Sequence, residues 1–160
     1  MAKVDYFLKI KGIPGESVKD KHKDEIEILS WSWGEANQGS HASNTGGGTG
    51  AVVMNDFNFQ MNVNKASPEL FLACATGKHI DEATLTCREA GGKQEEYLKI
   101  KFTELLISSF QTGGNAENIK PLETITFNFS RIDYTYAPQN KGGLGAATTK
   151  WYNVKETTSG

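Results

Sequence analysis

Histidine and cysteine are the residue types with the widest chemistry in this 160-residue sequence, and their spacing supports no metal site. His22, His41 and His79 stand far apart, and none has a second metal-binding residue four positions away, as on one face of a helix. The only cysteines are Cys74 and Cys87, and their separation matches no zinc-binding pattern. We therefore predict two reduced thiols, no metal ion and no cofactor.

Motifs for nucleotide binding and for nucleophilic catalysis are also missing from the sequence. Residues 46–50, GGGTG, lack the lysine and the hydroxyl residue that follow the last glycine of a phosphate-binding loop. No serine stands in a G-x-S-x-G motif, which would hold a nucleophile on a sharp turn. The sequence therefore predicts a protein that is not an enzyme and that works through its contacts with other molecules.

Charge and hydropathy exclude further classes of function. The 17 basic residues and 19 acidic residues leave a net charge of -2, so no basic surface for nucleic acid is indicated. No apolar run approaches the ~20 residues that span a bilayer. The first ten residues alternate charged and apolar side chains, which excludes the apolar centre of a secretory signal. We expect one domain, residues 1–160, without membrane insertion.

The elements that position these residues are predicted to be mainly β-strands. Residues 57–64 alternate apolar and amide side chains, as in a strand with one buried face. A short helix is predicted after them, with Ser67 as N-cap, Pro68 as first helical residue and Gly77 as its end. Residues 36–50 offer almost nothing to a core and predict a long loop, and residues 156–160 predict a frayed tail.

Three runs change the face on which their apolar residues alternate: residues 25–34, 97–110 and 123–136. Such a change indicates either a bulge in a twisted core strand or a second face buried against another subunit. On the second interpretation, subunit contacts are predicted for Trp31, Leu105 and Ile107. Long bulged strands are also how a sheet curls into a barrel.

Several segments together resemble the haemolysin-coregulated protein (Hcp) family, the tube subunit of bacterial type VI secretion systems. GIPGES and DKHKDEIEILSWSWG carry the first part of the resemblance. CATGKHIDEATLTCREAGG, EYLKIKFTELLISS and NFSRIDYTYAPQ follow in the same order. The resemblance implies a small β-barrel built from two antiparallel sheets with one short flanking α-helix.

It further implies hexameric rings that stack into a hollow tube and carry effectors in the lumen. The implied partners are other copies of the chain, the effectors, a spike protein and a contractile sheath. The implied location is the bacterial cytoplasm before firing, followed by secretion without a signal peptide. A different class of function, a β-sandwich carbohydrate-binding module with exposed aromatic residues, is the alternative.

Two groups of contact residues follow from the resemblance together with the strand pattern. Ser32 lies between two tryptophans whose side chains are expected on the buried face, so its hydroxyl is expected to point away from the core. The resemblance implies that this direction is toward the lumen. The loop at residues 36–50, called the glycine-rich loop below, is expected to reach toward the next ring. Its predicted stacking residues are Gln38, Ser40, His41, Gly46, Gly47 and Gly48.

Overall fold

The computed structural model describes residues 3–39 and 52–160, and in these ranges it confirms a mainly β, antiparallel protein with one helix. The helix, α1, spans Ser67–Thr76. The strands are β1 Val4–Ile10, β2 Ile26–Ile28, β3 Ser30–Ser32, β4 Glu35–Asn37, β5 Val52–Met54, β6 Phe57–Asn62, β7 His79–Glu89, β8 Glu96–Gly113, β9 Leu122–Tyr136, β10 Gln139–Asn140, β11 Gly143–Leu144, β12 Thr148–Asn153 and β13 Thr158–Ser159.

Hydrogen bonds join most strands of the described ranges into one nine-stranded sheet. Its order is β13-β12-β9-β8-β7-β1-β2, and β6 joins β9 to β3. Two separate two-stranded ribbons, β4-β5 and β10-β11, complete the strands. The family resemblance implied a small barrel built from two sheets. The pairing instead gives one large sheet, and a closed barrel stays a prediction.

The core is built around a cluster of phenylalanines on the neighbouring strands β6, β9 and β8. The ring of Phe57 lies 4.8 Å from that of Phe102 and 5.0 Å from that of Phe127, measured between centroids. All three side chains are fully buried. Aromatic pairs at these separations add about 0.5–1.5 kcal/mol each to the free energy gained from burial. The alternation predicted for residues 57–64 therefore places its apolar face where the sequence indicated.

Helix α1 begins one residue earlier than predicted. Its N-cap is Ala66, and the Ser67 hydroxyl instead donates to the carboxylate of the buried Glu123 on β9. The prediction of Ser67 as N-cap is wrong because that hydroxyl satisfies a carboxylate that would otherwise lie unpaired in the interior. Gly77 ends the helix with a φ of 64°, in the left-handed region that glycine adopts without strain.

The change of face in β8 arises inside the protomer. Glu104 has a φ of 55°, which interrupts the alternation at this residue. Beyond it, Leu105 and Ile107 point into the core and are only 1% and 2% exposed. The prediction that these two side chains contact a neighbouring subunit is therefore wrong: the irregular residue turns them toward their own core.

The change of face in residues 25–34 has a different cause. This run splits into β2, which pairs with β1, and β3, which pairs with β6. At the junction Leu29 is exposed, and its amide donates to the Gln60 carbonyl at 2.8 Å. The chain thus changes strand partner between the two sets of apolar residues, which explains why their faces differ without invoking a second subunit.

Both segments predicted to be irregular contain strands. The base of the glycine-rich segment pairs as β4 and β5, with Asn37 opposite Val52. The tail predicted to be frayed forms β13 against β12, and the Gly160 amide donates to the Trp151 carbonyl at 3.1 Å. The prediction of a frayed tail is therefore wrong, because the backbone groups of the tail complete the edge of the large sheet.

Candidate functional site

Ser32 lies on an exposed part of the large sheet, facing away from the core. It is the last residue of β3, opposite Asn58 on β6, and its side chain is exposed. Trp31 is half-buried and packs on the core, with its ring 6.1 Å from that of Phe57. Trp33 is also half-buried, and its indole N–H donates to the Asn55 carbonyl at 2.9 Å. The orientation predicted for Ser32 agrees with these positions.

Strand register places Ser32 within a larger surface that we call the hydroxyl–amide face. Across β3, β6, β9 and β8, two neighbouring rows of side chains point to the same side of the sheet. None of them is fully buried. The members of this face are Ser30, Ser32, Asn58, Gln60, Thr124, Thr126, Ser109 and Gln111.

Hydrogen bonds link neighbouring side chains along this face. The Ser30 hydroxyl donates to the Gln60 amide oxygen at 3.2 Å, and the Gln60 amide nitrogen donates to the Thr124 hydroxyl at 3.5 Å. Thr126 and Ser109 share a hydrogen bond of 2.6 Å between their hydroxyls. The face therefore presents donors and acceptors, without charge, to whatever lies against it.

A bulge in β8 shapes one border of the hydroxyl–amide face. The register between β8 and β9 shifts between Ile107 and Ser109, which leaves Ser108 as the extra residue. Its hydroxyl lies 2.7 Å from the Thr126 hydroxyl and also donates to the Asp56 carboxylate. One acidic group therefore adjoins the uncharged surface.

A second surface carries exposed aromatic residues. A cleft of about 300 Å³ lies between the β4-β5 ribbon and strands β9 and β12. Tyr134 on its rim is 45% exposed, and the nearby Tyr136 is 48% exposed. Arg131 stacks over the Trp151 ring, 4.1 Å from its centroid. Exposed aromatic side chains next to arginine are typical of protein contact surfaces.

Of the predicted stacking residues, only Gln38 falls within the described residues, where it is exposed beyond β4. Ser40, His41, Gly46, Gly47 and Gly48 lie outside the described residues. Their role in stacking therefore stays a prediction.

Both cysteines are free thiols, and the thiol of Cys87 is unreactive at neutral pH. Cys74 is half-buried and Cys87 is buried, and neither forms a disulfide. Burial raises the pKa of the Cys87 thiol to about 12, which keeps it protonated at neutral pH. In residues 3–39 and 52–160, no group of three or more potential ligands could hold a metal ion.

His22 is the residue that sequence reasoning missed. The charged run at residues 19–23, KDKHK, has the composition of a solvated loop, but His22 is only 6% exposed and contacts Glu25 and Glu96. The lysines of that run are exposed, as its composition indicates, whereas the histidine is not. The one available signal was an isolated histidine three residues before a glutamate.

A family model described as "Type VI secretion system effector, Hcp" matches residues 7–136 of this chain. The chain belongs to the Hcp family. The match runs from within β1 to the end of β9 and includes every member of the hydroxyl–amide face.

Individual relatives agree with this assignment. The chain is 40% identical over 156 residues to the protein hcp1 of Pseudomonas aeruginosa, with 96% of each chain covered. The crystal structure of Hcp1 from Salmonella typhimurium is 36% identical, with a TM-score of 0.82 and 99% of each chain covered. A structure described as a type six secretion system protein has a TM-score of 0.92 at 28% identity, covering 99% of this chain and 100% of that one.

Two functions were inferred from the sequence, a tube subunit and a carbohydrate-binding module. Membership of a type VI secretion family favours the tube subunit. None of the helices in the described residues is long and apolar enough to cross a bilayer.

Proposed function

We propose that this protein is the structural subunit of a type VI secretion tube. Six copies close into a ring, and rings stack into a hollow conduit that carries effectors. The observation that carries the proposal is the family match over residues 7–136, reinforced by an Hcp relative covered over 96% of its length. The proposed role is structural and not enzymatic.

The shape of the protomer suits this role. We infer that the large sheet closes on itself as a small barrel, with β2 and β3 forming the corner where the chain leaves β1 and joins β6. This inference is supported by the pairing of β6 with both β3 and β9. A closed sheet has few free edges, which protects a subunit from uncontrolled strand pairing during assembly.

A head-to-tail ring needs two different surfaces on each subunit that fit each other. The aromatic cleft with Tyr134 at its rim, together with the nearby Tyr136, is our candidate for one of them, because it exposes apolar area that a neighbour would cover. Trp31 stays a predicted contact residue, since it is only half-buried. The glycine-rich loop beyond Gln38 is proposed to contact the next ring.

The hydroxyl–amide face is proposed to line the lumen. Short polar side chains on a stiff sheet offer hydrogen bonds to a passing effector without strong electrostatic attraction. Ser32 is proposed to touch effectors directly, because its exposed hydroxyl lies at one end of this face. The further partners proposed are a spike at the tube tip and a surrounding sheath, with the subunit in the cytoplasm before firing and outside the cell afterwards.

Native mass measurement tests the ring. We expect a species of about 105 kDa, six times the 17.5 kDa chain mass, at micromolar concentration. The closed ring should appear without intermediate sizes, because each added subunit of an open ring leaves one unsatisfied surface at either end. A clean monomer at that concentration would contradict the proposal.

Substitution of Ser32 by glutamine tests the lumen. The ring should form normally, while retention of a co-expressed effector should weaken roughly fivefold, because a bulkier side chain displaces a contact worth about 1 kcal/mol. Native mass of the ring with its effector measures both quantities at once. The matched control is Thr84→Gln on β7, which adds bulk to a different part of the sheet surface. Equal retention by the two variants would show that Ser32 does not face the effector.

A further inference from the structure

His22 contacts the surface of the large sheet from within residues 13–25. The imidazole lies flat on the Phe7 ring of β1, with centroids 4.3 Å apart and planes 3° from parallel. On the neighbouring strand β7, the Arg88 guanidinium lies 4.8 Å from the same ring. Phe7 and Arg88 are 0% and 3% exposed, so this covering segment, together with its neighbours, keeps water from a patch of the outer sheet surface.

Both ring nitrogens of His22 contact carboxylates. Nδ1 lies 2.9 Å from a carboxylate oxygen of Glu25 on the same segment, and Nε2 lies 2.6 Å from one of Glu96 on β8. An ionised carboxylate only accepts hydrogen bonds, and a neutral imidazole has a single N–H. Satisfying both contacts therefore requires one more proton than a neutral histidine carries.

The extra proton belongs on the imidazole. Burial acts to raise the pKa of Glu96, but hydrogen bonds from His22 and Lys99 bring that pKa below its ordinary value. Lys99 Nζ lies 3.1 Å from the second carboxylate oxygen of Glu96. Glu96 is thus held as an anion, and an imidazolium that donates from both nitrogens is the state that matches the geometry.

The surrounding charges balance when His22 is protonated. Arg88 pairs with Asp5 at 3.4 Å, and Lys99 pairs with Glu96. The positive groups are then Arg88, Lys99 and His22, and they equal in number the carboxylates of Asp5, Glu25 and Glu96. If the imidazole loses its proton, one negative charge is left uncompensated where His22 and Glu25 are at most 9% exposed. The charged groups on the packed elements are Glu25, Glu96, Lys99, Arg88 and Asp5, and the sequence neighbours Lys21, Lys23 and Asp24 are exposed.

We propose that His22 is a proton-dependent latch: its doubly protonated ring fastens residues 13–25 to strand β8, and loss of one proton loosens them. Deprotonation turns one N–H donor into a lone pair facing a carboxylate at hydrogen-bonding distance, which is repulsive. The latch goes beyond the proposed function and does not depend on ring formation.

The direction of the pH dependence follows from the two kinds of group. The imidazolium stabilises the closed segment only while both ring nitrogens carry a proton, so its contribution is lost at higher pH, where the ring is neutral. Glu96 has a lowered pKa, so its contribution is present above the unfolded value and is lost only as the pH falls through the folded value. The latch should therefore open on the alkaline side and persist in mild acid.

Hydrogen exchange measured by mass spectrometry on the intact protein tests this at about pH 6 and about pH 9, on either side of the ordinary imidazole titration. After correction for the intrinsic effect of pH on exchange, we expect protection of residues 13–25 to be about tenfold lower at the higher pH. Protection of β9 should be unchanged. Equal protection of residues 13–25 at both pH values would overturn the proposal.

The decisive variant is Glu96→Gln. Its amide can donate to Nε2, so a neutral imidazole that donates from Nδ1 to Glu25 satisfies both contacts with one proton fewer. We expect the segment to stay protected and its pH dependence to fall below about twofold. The matched control is Glu82→Gln, which removes a carboxylate that pairs with Lys101 at 3.3 Å on the exposed sheet surface and should behave as wild type.

Glu25→Gln makes the same test at the other nitrogen of His22, should Glu96→Gln not fold. A purely structural role for the histidine predicts that the glutamine variants lose protection at both pH values. Protection that falls with pH in these variants as steeply as in the wild type would also overturn the proposal.

Discussion

Replacing Leu105 with glutamate is expected to unfold the protomer rather than release it from a ring. Leu105 is 1% exposed and belongs to the hydrophobic core. A carboxylate placed there without a partner costs several kcal/mol, which approaches the ~5–15 kcal/mol that stabilises a typical domain. Expression in inclusion bodies, or a melting temperature lower by more than about 10 °C in circular dichroism, is the expected result.

The adjacent residue provides the control. Leu106 is 38% exposed on the opposite side of the same strand, so Leu106→Glu should lower the melting temperature by only a few degrees. A soluble, folded monomer obtained from Leu105→Glu would contradict the core position and would restore the subunit contact that the strand pattern first suggested.

Replacing Phe57 with alanine should produce the second large effect. Its ring lies within 6.1 Å, centroid to centroid, of Trp31, Phe59, Phe102 and Phe127, so its removal opens a cavity that stiff neighbouring strands cannot fill. Such truncations cost about 3–5 kcal/mol, which corresponds to a melting temperature lower by about 6–20 °C in a chain of this length.

Thermal unfolding at one fixed protein concentration measures this change, because assembly adds to apparent stability. The control is Phe71→Ala on α1. That ring is 58% exposed and touches Phe110 edge-on at 6.3 Å, so a change below about 1 kcal/mol is expected. Equal losses in the two variants would show that the cluster around Phe57 does not dominate the core.

The family and the strands could be predicted from the sequence because both depend on residue patterns within short segments of the chain. Alternation with a period of two identifies the buried face of residues 57–64 without knowledge of their partners. The helix could be anticipated from Ser-Pro at its start and glycine at its end, to within one residue. The outward direction of Ser32 followed from the tryptophans on either side of it.

The changes of face could not be interpreted from the sequence. A shift in alternation shows that side chains turn over, but a bulge, a change of strand partner and a second subunit all produce the same pattern. In β8 the cause is the positive φ of Glu104. At Leu29 the cause is a change of strand partner, from β1 before this residue to β6 after it. Both causes depend on which strand lies alongside, and that is decided by pairing between distant parts of the chain.

His22 and the C-terminal strand show the same limit for polar residues. The sequence around His22 is rich in lysine and aspartate, and burial of the histidine depends on the Phe7 ring and on Glu96, 74 positions away, as well as on the nearby Glu25. Residues 158–159 are small and polar, yet they are ordered because β12 offers unpaired backbone groups at the edge of the sheet. Local composition determined the elements of this protein, while the tertiary structure decided which polar groups find partners, because a buried hydrogen bond or ion pair is stable only when both members arrive together.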